Sequence, residues 1–283
     1  SGTNWSVDKV QTYADYKGEK VPTGLEALVR SSDSKILTQV GKNWNPVQNE
    51  QAFQFFNEYC MEGGMEMHSA GSLKGGKMVW ALAKINESFD VLKGDQVDSY
   101  LLFSNPHEYG KSIDIRFTPI RVTCMNTLAM AMKGRAINGA KVNHRRAFDA
   151  DHVKVTMGLA HERFEQYKEV AKYLAGKKFT AESLIQYYNE VFPRTYTGKN
   201  PVIVKTYEDL TTNGQKAFDV LQTQPGAELG RGSWWQALNS VTYLTDHQMG
   251  RSADTRMTSA WFGSNQNRKQ LAVSQAIEFA EAA

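Results

Sequence analysis

Apolar residues alternate with polar ones along the first half of the chain and recur at three- and four-residue spacing along the second, so short strands are expected first and helices afterwards. Residues 5–13 show period-two character, and residues 24–30 and 35–40 flank the turn Ser31-Ser32-Asp33-Ser34, which predicts a hairpin. Asn45-Pro46-Val47-Gln48 opens a helix over residues 49–61, where Ala52, Phe53, Phe56, Tyr59 and Cys60 fall on one face before Gly63-Gly64 stops it. Residues 65–70 and 77–85 predict a second hairpin around the loop 71–76. Strands follow at 99–104 and 112–118; the latter sets Ile113, Ile115 and Phe117 on one face and Asp114 and Arg116 on the other. Pro119 marks an edge or a bulge. A helix over 126–133 closes this half, and 134–146 is a polar connection.

From Val153 onward the apolar positions Met157, Ala160, Phe164, Tyr167, Ala171 and Leu174 alternate spacings of four and three, a heptad seam that demands burial. The chain's own core and a subunit interface both satisfy that demand. Further helices are expected at 181–192, 203–222, 233–249 and 268–281. The fold class is therefore α+β: a curved, mainly antiparallel sheet with a packed helix over residues 1–146, followed by a helical part over 147–283 that packs on it.

Composition adds bounds. The 283 residues, 41% hydrophobic and 22% charged, suffice for a full core, and the six Trp, twelve Tyr and thirteen Phe supply it. No apolar run is long enough to span a bilayer and no signal-like segment opens the chain, so a soluble, intracellular protein without a membrane partner is expected. Cys60 and Cys124, the two cysteines, are too few for a disulfide framework and read as small buried hydrophobes in a reducing compartment. Ser1-Gly2 reads as an added remnant, with the natural chain starting further upstream.

Charge is unevenly placed. Between residues 111 and 146 stand eight basic side chains (Lys111, Arg116, Arg121, Lys133, Arg135, Lys141, Arg145, Arg146) and one acid, Asp114, a local excess of seven in a chain of net charge +3. Such a concentration fits neutralisation by a polyanion, nucleic acid first; it also fits a solvated face balanced by acids brought near in space. The loop Gly71-Ser72-Leu73-Lys74-Gly75-Gly76-Lys77 matches the phosphate-cradling pattern G-x-x-x-x-G-K, yet Met78 stands where Ser or Thr should hold magnesium, and a strand follows where a helix should. A basic hairpin tip, with Lys74 and Lys77 on a flexible glycine loop that can meet a phosphate backbone, is the better reading. Trp44, beside Lys42, is a candidate base-stacking ring or else a staple that packs the start of the helix.

The six histidines show no metal-ligand spacing, and no metal or cofactor is expected. Asp246-His247 resembles a catalytic pair, but neighbours on a helix point about 100° apart. Tyr243 one turn beneath His247, and Asn239 with Asp246 on a polar face bonded within the fold, fit better.

The run Gly41-Lys42-Asn43-Trp44-Asn45-Pro46-Val47-Gln48-Asn49-Glu50-Gln51-Ala52-Phe53 resembles the G-x-x-Y-x-P-V-Q-N-x-E-A-F signature of the phage/plasmid-like protein family, domain-of-unknown-function family 932. Ala70-Gly71-Ser72-Leu73, Val79-Trp80-Ala81-Leu82-Ala83, Thr118-Pro119-Ile120-Arg121-Val122-Thr123-Cys124-Met125-Asn126-Thr127-Leu128, Gly232-Ser233, Ala237-Leu238-Asn239, Asp246-His247 and Phe262-Gly263-Ser264 continue the likeness in order. The chain departs from it in lacking the family's early Trp-His-Gly-Leu-Gly motif and in carrying Trp44 where Tyr is commoner. The resemblance implies a phage, plasmid or integrative element in a bacterial cytoplasm, recombination genes as neighbours, and remote similarity to single-strand annealing proteins, which form rings in their eukaryotic version.

Together these readings lead to an expectation of non-enzymatic binding to single-stranded DNA in recombination, repair or replication. The contacts would come from Arg116, Arg121, Lys133, Arg135, Lys141, Arg145 and Arg146, with Lys42, Trp44, Lys74 and Lys77, and homo-oligomers or phage and host recombination proteins would be further partners. The alternative is an interaction or assembly factor acting on a host protein through the seam at 153–174. An enzyme acting on nucleic acid is the third and least supported class.

Overall fold

The computed structural model describes residues 2–62, 64–127, 139–142, 160–194 and 203–282. It is an α+β protein whose main sheet is a curled antiparallel half-barrel, continued by helices. Two compact units are woven from separated stretches of chain. One comprises Ser1–Asn86, Tyr100–Phe117 and Ile137–Ala160, the other Glu87–Ser99, Thr118–Ala136 and His161–Ala283.

The first unit opens with a three-stranded antiparallel sheet, β1 (Val7–Tyr16), β2 (Glu19–Arg30) and β3 (Lys35–Gly41). The expected hairpin around Ser31–Ser34 is present, with Arg30 opposite Lys35. A further hairpin was not visible in the sequence: β1 and the first half of β2 pair through Lys17-Gly18, whose φ angles of 55° and 81° give the twist that a two-residue hairpin turn needs. Solvent lies on both faces of this distal ribbon, so no alternation of polarity records it. Val7, Leu28, Leu37, Val40 and Trp44 form the small core of the sheet.

Helix α1 (Asn49–Glu62) follows, as its apolar spacing requires. It lays Ala52, Phe55, Phe56 and Cys60 on Ala81, Ala83, Leu101, Phe103, Ile113 and Ile115 of the half-barrel, with the Phe56 and Phe103 rings stacked 5.3 Å apart. The half-barrel runs in the order β4 (Glu66–Leu73), β5 (Met78–Asp90), β6 (Gln96–Pro106), β7 (Ile113–Arg121) and β8 (Asn126–Thr127), with β9 (Gly139–Val142) also paired to β7. Asn126 and Thr127 are thus strand and not the start of the expected helix; they close a tight turn after β7, opposite Arg121 and Ile120.

The helical elements of the second unit are α2 (Ala160–Gly176), α3 (Ala181–Val191), α4 (Thr212–Val220), α5 (Trp234–Tyr243), α6 (Ala253–Phe262) and α7 (Ser264–Glu281). The seam residues Phe164, Tyr167, Ala171 and Leu174 are buried inside this unit, Phe164 against Phe89 at 5.2 Å, so these positions serve the chain's own core. Val153 and Met157 lie outside the described residues. The helix expected over 203–222 is shorter, because Leu210 is extended (ψ 154°) and the Thr211 hydroxyl caps α4 by accepting from the Gly214 N–H. Helix α6 went unseen because Ala260 is its single buried residue; a Ser252/Thr255 capping box starts it. Helix α7 packs on α3, α5 and α6, with Phe279 stacked on Trp234 at 5.4 Å. Among the described residues no helix is long and apolar enough to cross a membrane.

Candidate nucleic-acid interface

The glycine loop of the first unit is a single 3-10 turn, Lys74–Gly76, leading directly into β5. Lys74, Gly75 and Gly76 all have left-handed φ angles, of 54°, 63° and 96°. Two cations from the neighbouring hairpin close on it: Arg30 Nη1 and Lys35 Nζ donate to the Gly75 carbonyl at 3.2 and 3.3 Å. A Cβ on Gly75 would stand 2.7 Å from Lys35 Nζ, and one on Gly76 would strike the Arg30 guanidinium, so glycine is what admits these groups. Arg30, Lys35, Lys74 and Lys77 therefore surround one turn, with Asp33 paired to Arg30 and Glu108 to Lys74. Asp33 takes both Arg30 Nε and Nη2, and that hydrogen bonding holds its carboxyl down to about 2. Lys74 Nζ meets Glu108 at 2.9 Å.

The loop after β6 is tied to the same turn. The His107 N–H donates to the Lys77 carbonyl at 2.8 Å. The His107 ring, fully buried, bonds Asn49 Oδ1 at 2.8 Å and takes the edge of Trp5 at 5.3 Å; Asn105 Nδ2 donates to the Val47 carbonyl. With its base anchored in this way the loop presents Glu108 and then Tyr109 outward. Tyr109 is 60% exposed and borders a cleft of about 560 Å³ with Leu25, Gln39, Lys42, Asn43 and Trp44. Lys42 is exposed at its rim. Trp44 belongs to the core of the three-stranded sheet and is only 6% exposed, which is the packing role and leaves its ring faces unavailable for stacking. Thus the structure brings Lys42, Lys74 and Lys77 into one region and adds Arg30, Lys35 and Tyr109. Sequence reasoning missed these three because Arg30 and Lys35 are separated from the turn by about forty residues, and a lone Tyr in a loop carries no pattern.

The basic segment 111–146 is a different matter. Arg116 is paired with Asp114, two residues away on the same strand, and burial pulls its guanidinium down to about 10. Lys141 lies in β9, in register with Asp114. Lys133, Arg135, Arg145 and Arg146 lie outside the described residues. Arg121 corrects the expectation that it projects toward a phosphate backbone. It is 1% exposed, its Nε and Nη2 bind both Asp95 oxygens at 2.6 and 2.8 Å, and its remaining hydrogens reach the Pro225 and Gly226 carbonyls and the Cys124 sulfur. Burial works against its charge, but the bonds to Asp95 prevail and raise its pKa.

Asp246 and His247 bond within the fold. A π-helical turn, Leu244–Gln248, lets both reach β8: Asp246 Oδ2 accepts from the Thr127 N–H and hydroxyl at 2.6 and 2.7 Å, and His247 Nε2 lies 3.0 Å from Asn126 Oδ1. Tyr243 packs on His247 as its spacing predicts, with centroids 4.9 Å apart. Lys269, 2% exposed, was unforeseen; its Nζ donates to Asp246 Oδ1 at 2.7 Å and to the Thr127 hydroxyl and carbonyl.

No curated protein and no solved structure matches this chain. A family described as Domain of unknown function (DUF932) matches residues 36–268, a span that takes in β3, the half-barrel and every element up to the first turn of α7. With well over half of its length so matched, the chain belongs to the DUF932 family.

Proposed function

We propose that this protein binds nucleic acid without catalysing a reaction on it, and that its ligand is single-stranded DNA handled during recombination, repair or replication of a phage or plasmid. The observation that carries the reading is the joining of two features at one loop. His107 and Glu108 attach to the turn ringed by Arg30, Lys35, Lys74 and Lys77, and the next residue, Tyr109, stands exposed beside Lys42. Cations spaced around a backbone turn supply sequence-independent phosphate contacts, and an adjacent exposed ring supplies a surface for bases. The DNA contacts of this reading are centred on the glycine turn and the Tyr109 cleft.

Fluorescence anisotropy with a labelled single strand at salt concentrations from about 50 to about 200 mM tests it. With four or more phosphates neutralised, the log-log slope is about −3 or steeper, from about −0.7 per phosphate. A flat response, or no binding at the lowest salt, overturns the proposal.

A further inference from the structure

We infer that the cleft beside Tyr109 receives one unpaired nucleobase, stacked on the phenol ring, and that this capture lets the protein prefer single strands over duplex. The inference rests on the nucleic-acid reading above and adds the chemistry of its ligand. Tyr109 is 60% exposed although Asn105, Pro106 and His107, shortly before it, are buried and Asn105 and His107 are hydrogen-bonded, so the ring is held out in solvent by a fixed support. The cleft volume, about 560 Å³, lies within the range of roughly 300–1,000 Å³ typical of sites for small flat molecules and has room for a base with its sugar.

Its walls match that occupant. Gln39 and Asn43 are exposed, and their side-chain amides are not engaged by other described residues. Each amide offers two N–H donors and an oxygen acceptor, so either can satisfy the edge of any base and sequence tolerance follows. Lys42 at the rim is placed for the attached phosphate, and Lys74 at the glycine turn is ion-paired with Glu108, the neighbour of Tyr109. A base inside a duplex has its edge taken by its partner and both faces covered by neighbours, so it enters only after unstacking and unpairing. An apolar peptide side chain, the competing occupant, would meet Leu25 and Val40 but leave the two solvated amides and the lysine without partners.

The test compares wild type, Tyr109→Ala and Tyr109→Phe by anisotropy at one low salt concentration, on an oligothymidylate, on the same length of duplex, and on a strand of abasic residues. Tyr109→Ala is expected to bind the oligothymidylate about 5- to 150-fold more weakly, to leave duplex affinity unchanged and to keep the wild-type salt slope, because no phosphate contact is lost. Tyr109→Phe retains wild-type binding, and the wild type binds the abasic strand as weakly as Tyr109→Ala binds the oligothymidylate. If Tyr109→Ala, folded by its melting curve, binds both DNAs as the wild type does, base capture is wrong while steep salt dependence of the wild type still upholds the proposed function. A wild type that binds no DNA at low salt sinks both.

Discussion

Arg121 and Asp95 meet as an enclosed, bidentate ion pair, and the indole N–H of Trp235 donates to the same carboxylate at 2.8 Å while its ring lies 5.9 Å from the guanidinium. One of the eight cations in the basic segment is thereby spent inside the second unit. Its partner lies 26 residues upstream, outside the segment, and a second, Arg116, is paired with Asp114. Asp95, brought near in space, offsets one of the seven excess charges; Asp114, which pairs with Arg116, is already counted in that excess.

Arg121→Gln should therefore weaken the fold and not DNA binding as such. Removing one member of a buried pair leaves an uncompensated carboxylate, which costs about 3–5 kcal/mol. The melting midpoint by circular dichroism should drop on the order of 10 °C, and Arg121→Lys should recover little, since an ammonium cannot serve two oxygens and two carbonyls in one plane.

Lys269 and Asp246 form another buried pair, 2% and 6% exposed at the side chains. Either Lys269→Met or Asp246→Asn alone is expected to be destabilising by about 3–5 kcal/mol, whereas the double variant Lys269→Met/Asp246→Leu should regain part of the loss. Urea denaturation of the two single variants and the double variant measures the coupling. Single-strand affinity of the folded fractions should equal the wild type's; a folded Asp246→Asn protein that no longer binds DNA would move the functional site into the helical unit.

The thiols should be inert in the folded protein. Burial pushes Cys60 up to about 12 from 9.0 and raises Cys124 as well, so at pH 8 Cys60 holds about a thousandfold less thiolate than an ordinary cysteine. A thiol-disulfide reagent should label neither in buffer and both in denaturant. Because the folded value of Cys60 lies above the unfolded one, its contribution to stability is complete below pH 9 and is lost as pH rises toward 12. Urea midpoints across that window should fall more steeply for wild type than for Cys60→Ala.

Replacing Lys35, Lys74 and Lys77 together with Gln should make the salt slope of single-strand binding shallower by about 2, from about 0.7 per phosphate contact. Stability should change little, because the Lys74–Glu108 pair is about one-third exposed and such pairs contribute about 0–1 kcal/mol. An unchanged slope would remove the glycine turn from the interface.

Local pattern alone determined most of the elements. The spacing of Ala52, Phe56 and Cys60 dictates α1 because a 3.6-residue period must bury one face. The alternation of Ile113 and Ile115 with Asp114 dictates β7, and Met78 in place of a hydroxyl residue already argued that the glycine loop turns between strands. Elements without a one-sided apolar face escaped: the ribbon around Lys17-Gly18, wet on both sides, and α6, which buries only Ala260.

Tertiary structure alone decided which polar residues distant along the chain meet. A basic side chain reads identically in sequence whether its partner is water, a phosphate or a carboxylate. Asp95 for Arg121 and Asp246 for Lys269 are chosen by chain topology across 26 and 23 residues, and those choices convert two cations into parts of the core. The same topology sets Arg30 and Lys35 on the carbonyl of Gly75 and hangs Tyr109 beside Lys42. Hydrophobic periodicity is a property of neighbours along the chain, so sequence records it; electrostatic pairing depends on distance through space, which only the folded chain defines.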